Sequence, residues 1–248
     1  MKKDKVKKVV EEHYSKIAAG GSCCSCSCGG NDESEKIAKS IGYADDDIAD
    51  FSDSNLGLGC GNPVAMGSIN EEDTVLDLGS GAGFDAFLAA KKVGESGNVI
   101  GIDFSKEMIK KAKENAKKFG YKNVEFKYGD VESMPVDDNF VDVVISNCVI
   151  NLAPSKDKVF SEIKRVLKKS GRGYISDIVL LKKLSTEQLA DENLLAGCVA
   201  GALLKDDYIK IAEMAGLSVR VLSEDRDISK RQYNGVALES LKIEVSSV

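Results

Sequence analysis

Apolar residues recur at helical spacing over residues 2–18, where Val6, Val9, Val10, Tyr14 and Ile17 share a face and Lys2, Lys3, Lys5, Lys7 and Lys8 supply the wet side. Residues 20–34 are small, polar and cysteine-rich, the composition of a loop. Short helices are expected over 35–41 and 45–51, followed by a glycine-rich stretch from Ser52 to Gly61. Asn62-Pro63 reads as an N-cap with proline at the first helical position. From residue 73 the pattern becomes regular. Strands are predicted at 74–78, 99–102, 124–127, 141–146 and 174–177, and helices at 83–93, 105–119 and 155–168, with Gly120 closing the second helix. Strands alternating with helices imply a parallel sheet covered on both faces. Beyond Asp177 the character changes. Ser185 and Gln188 have capping-box spacing ahead of a helix carrying Cys198, and Asp206 is placed to cap a helix ending at Gly216. Strands near 218–222 and 236–243 would complete the sheet as an antiparallel edge, for a seven-stranded, mostly parallel α/β fold.

Composition narrows the function. At 248 residues and 43% hydrophobic, the chain can bury a substantial core. A net charge of -6 argues against a nucleic-acid partner. No window is apolar enough to cross a bilayer, and the charged start Met1-Lys2-Lys3-Asp4-Lys5 is not followed by the apolar core of a signal peptide. The expected location is cytoplasmic, where most of the seven cysteines would stay reduced. His13, the sole histidine, reads as a structural or surface residue.

The segment Asp77-Leu78-Gly79-Ser80-Gly81-Ala82-Gly83 follows a predicted strand and opens a helix, the position where open α/β sheets bind ligands. The dinucleotide fingerprint needs a further glycine where Phe84 stands, which disfavours a nicotinamide cofactor. Asp103 ends the second strand and is placed to accept hydrogen bonds from two ribose hydroxyls. Asp130, in Gly129-Asp130-Val131 after the third strand, is placed to meet an adenine amino group. A blander reading makes the glycines a tight turn and the acids solvated caps, but three acids closing successive strands weigh against it. The pattern resembles class I S-adenosylmethionine-dependent methyltransferases over residues 70–180. That resemblance implies a Rossmann-like core whose cofactor site is lined by Asp77, Gly79, Ser80, Gly81 and Gly83. It adds Asp103, Phe104, Asp130 and Val131, with Asn147 closing the site from the fourth strand.

Cys60, Cys148 and Cys198 lie far apart in sequence. Cys148 and Cys198, each taken alone, read as small buried hydrophobes, the usual fate of a free cysteine. Cys60 precedes a helix N-terminus, where the dipole favours a thiolate. The N-terminal loop adds Cys23, Cys24, Cys26 and Cys28; Cys23-x-x-Cys26 has zinc-ligand spacing but lacks a second pair to complete four ligands. Taken together, residues 56–63, 78–85, 146–152 and 197–202 resemble the arsenite methyltransferases, in the same order, over about residues 6 to 216. The resemblance implies that Cys60, Cys148 and Cys198 hold trivalent arsenic as thiolates and that Cys23 or Cys24 exchanges a disulfide with Cys60. It also implies S-adenosylmethionine as methyl donor, a glutathione- or thioredoxin-type reductant, and arsenite and methylated arsenicals as substrates. On this reading 1–69 is a helical, cysteine-rich extension contributing to the acceptor site, 70–180 the cofactor-binding core, and 181–248 the acceptor-site helices with the closing strands. The chain also stops sooner after its sheet than longer members of that family. Two alternatives stand beside this expectation: a small-molecule C- or O-methyltransferase, and a non-catalytic thiol-rich metalloid-binding protein.

Overall fold

Alternating apolar residues along the strands build two cores, one on each face of a single sheet. The computed structural model describes residues 3–19 and 31–248. The elements run α1 Lys3–Ala18, α2 Asn31–Ser40, α3 Asp45–Asp50, α4 Pro63–Met66, β1 Thr74–Leu78, α5 Phe84–Val93, β2 Asn98–Asp103, α6 Lys106–Phe119 and β3 Val124–Tyr128. They continue with β4 Val141–Asn147, α7 Lys156–Val166, β5 Leu167–Leu180, α8 Thr186–Ala190, α9 Glu192–Ala196, α10 Lys205–Met214, β6 Leu217–Asp225, α11 Ile228–Gln232 and β7 Leu238–Ser247. The sheet order is β3-β2-β1-β4-β5-β7-β6. The first five strands pair in parallel, and β7 runs antiparallel between β5 and β6.

Successive residues of one strand serve opposite cores, as a period of two requires. Val143 and Ile145 join Phe87 of α5 and Ala112 of α6, whereas Val144 joins Phe160 of α7 and Tyr208 of α10. The order reverses between β1 and β4, so a crevice opens beyond their carboxyl ends, where such sheets bind ligands. Over it lies α1, with Val6 and Val10 packed against Leu195 and Ile17 against Met108.

Three details depart from expectation. The fifth strand starts at Leu167, which pairs with Val141, and an irregularity follows before Val143 meets Arg172. That bulge hides the strand's first half in the polar run Lys168–Ser170, which the apolar pattern assigned partly to α7. The helix expected to carry Cys198 is broken by Asp191, whose side chain accepts from the N–H groups of Asn193 at 2.8 Å and Leu194 at 3.2 Å and so caps α9. Last, α10 is preceded by Leu204, and Asp206 sits within its first turn instead of capping it.

Among the described residues, no helix is long and apolar enough to cross a membrane.

Candidate active site

The turn after β1 is built by backbone conformations that side chains resist. Gly79, Gly81 and Gly83 have φ of 61°, 52° and 98°. A Cβ on Gly79 would strike Val149, whereas one on Gly81 would meet nothing within 4 Å and project into open space. The turn is tied to β2: Ser80 N–H donates to the Ile102 carbonyl at 2.9 Å, and Gly81 N–H donates to Asp103 Oδ2 at 3.0 Å. Asp103 Oδ1 accepts from Ser105 N–H at 2.8 Å. Asp77, Gly79, Ser80 and Gly81 line one cleft together with Asp103, Phe104, Asp130, Val131 and Asn147. Gly83 is the one predicted cofactor residue outside the lining; it serves as the N-cap of α5.

Carboxyl groups crowd this cleft. Asp77 is pushed well above the ordinary carboxylate range by burial and by Asp85 and Asp103. Burial pushes Asp85 up to about 6 against hydrogen bonds from Tyr43 and Asn147, and Asp103 likewise to about 6. Asp77 Oδ2 and Ser80 Oγ are buried without a hydrogen-bond partner. Such groups call for donors or a cation from a ligand. Asp130 is already engaged, accepting from Glu132 N–H at 2.9 Å and from the Lys7 ammonium of α1 at 2.5 Å.

Beside the cleft lie Cys60, Cys148 and Cys198, all free, buried and within the same apolar cluster. The loop after β4 delivers Cys148, the loop before α4 delivers Cys60, and the turn after α9 delivers Cys198. Cys148 also lines that cleft, so the thiols and the cleft share a wall. The Cys148 thiol lies near enough to those of Cys198 and Cys60 for each to shift its acidity. Cys198 Sγ also donates to the Cys148 carbonyl at 3.1 Å. Among the described residues no cluster of three or more His, Cys, Asp or Glu is arranged as a ready metal cage. Joint capture of one atom needs Cys198 Sγ to turn from that carbonyl.

All three thiols hold their protons tightly. Burial raises Cys60, aided by Asp177 and Cys198. At Cys148 the contact with Cys198 lowers the thiol, but the contact with Cys60 and burial outweigh it; Cys198 is raised by its contact with Cys148 and by burial. The expectation that a helix dipole makes Cys60 a thiolate is thereby corrected. The helix that follows is only the four residues of α4, and Cys60 lies two residues ahead of its cap Asn62. Desolvation of a fully enclosed sulfur wins over so short a dipole.

Other groups enter the site with little announcement in sequence. Asp177 in β5 accepts from Asn151 Nδ2 at 3.0 Å and from the Tyr208 hydroxyl at 3.0 Å behind the thiols. The Tyr233 hydroxyl lies 3.8 Å from Cys148 Sγ. The Tyr14 hydroxyl donates to the Ala196 carbonyl at 3.2 Å, joining α1 to the Cys198 turn. Asp85 had the clearest signal, two residues past the last glycine of the loop. Tyr233 had none, because it belongs to an irregular segment between β6 and β7. Cys23 and Cys24, expected in a disulfide relay, lie outside the described residues.

Residues 69–216 match the methyltransferase-domain family. An arsenite methyltransferase of Halobacterium salinarum is 45% identical over 237 residues, covering 90% of this chain and 60% of that protein. One of Aquipseudomonas alcaligenes is 39% identical over 178 residues, covering 69% of this chain and 51% of that protein. The chain thus spans little more than half the length of these curated relatives. The crystal structure of an arsenic(III) S-adenosylmethionine methyltransferase from Chlamydomonas reinhardtii superposes with a TM-score of 0.67 at 32% identity, covering 86% of this chain and 74% of that one. With the family matched over more than half of its length and 74% of the Chlamydomonas enzyme covered at 32% identity, the chain belongs to the methyltransferase-domain family and, within it, to the arsenite methyltransferases.

Proposed function

We propose that this chain binds S-adenosylmethionine in the acidic cleft and methylates trivalent arsenic held by Cys60, Cys148 and Cys198. The gathering of all three cysteines in one buried cluster, with Cys148 in the wall of the cleft, carries this reading. The cleft suits the donor. An amino acid's ammonium group would supply the hydrogen that Asp77 Oδ2 lacks, and two ribose hydroxyls could donate to the remaining lone pairs of Asp103. Asp77 and the glycine turn would hold the methionine end, Asp103 the ribose, and Asp130 with Val131 the adenine. When bound, the donor supplies a methyl group activated on a sulfonium.

Protonated thiols are the right form for capturing arsenite. As(OH)3 condenses with three thiols to make three As–S bonds, and each thiol proton leaves with a hydroxide as water. No base is consumed. Soft sulfur is the natural ligand for this metalloid, and three such bonds leave its lone pair free as the nucleophile. That nucleophile carries no proton, so no general base is needed. What remains for the protein is to hold the reacting atoms in line and dry; the three thiols are each enclosed in the core.

Methyl transfer formally takes arsenic from trivalent to pentavalent. Two thiols can supply the two electrons that restore it, becoming a disulfide. In this scheme Cys60 pairs with Cys23 or Cys24, and a glutathione- or thioredoxin-type thiol reduces the pair.

An anaerobic incubation with arsenite, S-adenosylmethionine and a reducing thiol, with arsenic species separated by chromatography, tests the whole. Methylated arsenicals are the expected product. Their absence, with donor binding intact, would end this reading.

A further inference from the structure

Cys60 reaches the thiol cluster on a stretch with no helix or strand between Asn55 and Asn62. Its glycines leave few side chains to anchor it. Two residues outside the loop do so: Ser240 Oγ of β7 donates to the Cys60 carbonyl at 2.8 Å, and Asn147 holds the amides on either side. Asn147, the last residue of β4, accepts through Oδ1 from the N–H groups of Cys60 at 3.0 Å and Gly61 at 3.3 Å. Its Nδ2 donates to the Gly61 carbonyl at 2.8 Å. The same nitrogen meets the donor cleft, donating to Tyr43 Oη at 2.9 Å and Asp85 Oδ2 at 3.1 Å. Tyr43 in turn donates to Asp85 Oδ1 at 2.6 Å. A primary amide has two N–H groups, so three acceptors around Nδ2 must share them. Cleft and loop therefore compete for, and are fixed by, one amide. Gly59 completes the fit, since a Cβ there would lie 2.6 Å from Nδ2.

We propose that Asn147 is a positioning residue for Cys60 and couples the two sites, so that donor occupancy and capture of arsenic by the third thiol strengthen one another. The inference rests on the arsenite methyltransferase reading. When the loop undocks, Asn147 loses three backbone partners and its amide is free to swing into the cleft that it lines. A bound donor fills that space and excludes the undocked arrangement, which favours Cys60 in place. Linkage makes the effect reciprocal: arsenite tightens the donor by the same factor. The substrate consequence is specific. Arsenite has three exchangeable ligands and uses all three sulfurs. A monomethylated trivalent arsenical has two and is satisfied by Cys148 and Cys198.

Two variants attack the contact from opposite sides: Asn147→Ala removes the amide, and Gly59→Ala pushes against it. Calorimetry on the full chain measures arsenite and monomethylarsonous acid binding with and without S-adenosylhomocysteine. The unsubstituted protein should bind arsenite more tightly when that cofactor product is present. Both variants should lose this enhancement and bind arsenite about tenfold more weakly, with less than about a threefold effect on the methylated arsenical. Alkylation by N-ethylmaleimide, read by mass spectrometry, reports the loop directly. S-adenosylhomocysteine should slow labelling of Cys60 in the unsubstituted protein, and both variants should label it several-fold faster without protection. Equal losses on both arsenicals, or Cys60 labelling indifferent to S-adenosylhomocysteine in the unsubstituted protein, overturn the inference. If the unsubstituted protein binds neither arsenite nor S-adenosylhomocysteine, the function itself falls, and the coupling with it.

Discussion

Cys198 Sγ donates a hydrogen bond to the carbonyl oxygen of Cys148 at 3.1 Å, and both residues hold left-handed backbone conformations, with φ of 66° and 60°. Side chains disfavour that region by roughly 1–2 kcal/mol per residue relative to the right-handed one. Two buried cysteines strained in the same way, touching each other, mark a site where geometry has been kept at some cost to stability.

Replacing either sulfur should therefore remove chemistry without removing the fold. Cys148→Ser and Cys198→Ser are each expected to lower arsenite methylation by at least about a hundredfold, because a hydroxyl is a hard and poor ligand for trivalent arsenic. Donor binding should change by less than about threefold, since the carboxyl groups and glycine turn are untouched. Rates of methylarsenical formation, with calorimetry of S-adenosylhomocysteine, decide it. Normal turnover in both variants would show that neither sulfur holds the substrate.

Stability should rise on mild acidification, against the usual trend. Asp177 is wholly enclosed, and burial pushes it up to about 7 against the Tyr208 hydrogen bond and the Lys156 charge; the thiols, Tyr208 and Asn151 complete its surroundings. In the unfolded chain the same carboxyl has a pKa near 3.8. A folded value above the unfolded one means the native state binds the proton more tightly. The stability this confers is full below about pH 4 and is lost as pH climbs through the folded value near 7. Asp85 and Asp103, both at about 6, act in the same direction. Each group should weigh on the order of 1–3 kcal/mol. Denaturant titrations of the unliganded protein at about pH 5.5 and 7.5 should show the higher stability at the lower pH. Asp177→Asn should flatten the difference. A steeper difference in that variant, or higher stability at the upper pH, contradicts the assignment.

Lys7 should restrain donor binding. Its ammonium holds Asp130 Oδ2 and Glu132 Oε2, leaving no Asp130 oxygen unengaged for an adenine amino group. The pairs are partly exposed, so breaking them should change fold stability by less than about 1 kcal/mol. Lys7→Met is expected to raise affinity for S-adenosylhomocysteine by about two- to fivefold, measured by calorimetry. Weaker binding in that variant would mean that Lys7 itself serves the cofactor.

Much of this arrangement was legible before any coordinates, and the limit falls at a definite place. Strands carrying Asp77, Asp103 and Asn147 at or beside their carboxyl ends, and the glycine turn after the first, are local patterns, and local patterns survive folding. Asn62 is another: its Oδ1 accepts from Ala65 N–H at 2.9 Å, as an N-cap before proline should. The meeting of Cys60, Cys148 and Cys198 is not local. It depends on how three loops close, which no spacing encodes, and only resemblance suggested it. The thiolate expected at Cys60 fails because dipole arguments need neighbours in sequence, whereas burial depends on neighbours in space. Lys7 read as part of the wet face of α1, and it is; what spacing cannot say is that the face looks down on Asp130.

Tyr233 offers the finest test of the thiol site. Its hydroxyl is 3.8 Å from Cys148 Sγ, its ring is packed against the apolar cluster that holds the three cysteines, and burial and the nearby sulfurs keep the phenol protonated. A protonated hydroxyl beside the sulfur proposed to bind arsenic can donate to it, and O–H···S bonds are weak. Tyr233→Phe keeps the ring and removes only that donor. If the hydroxyl serves Cys148 in the bound state, arsenite dissociation should quicken and affinity fall by about three- to fivefold, the equivalent of roughly 1 kcal/mol. Donor affinity should stay as it was, and melting should shift by no more than a few degrees. A loss of both ligands together would assign the hydroxyl to packing of the loop. An arsenite affinity unchanged by the substitution would place Cys148 Sγ, once loaded, out of the hydroxyl's reach.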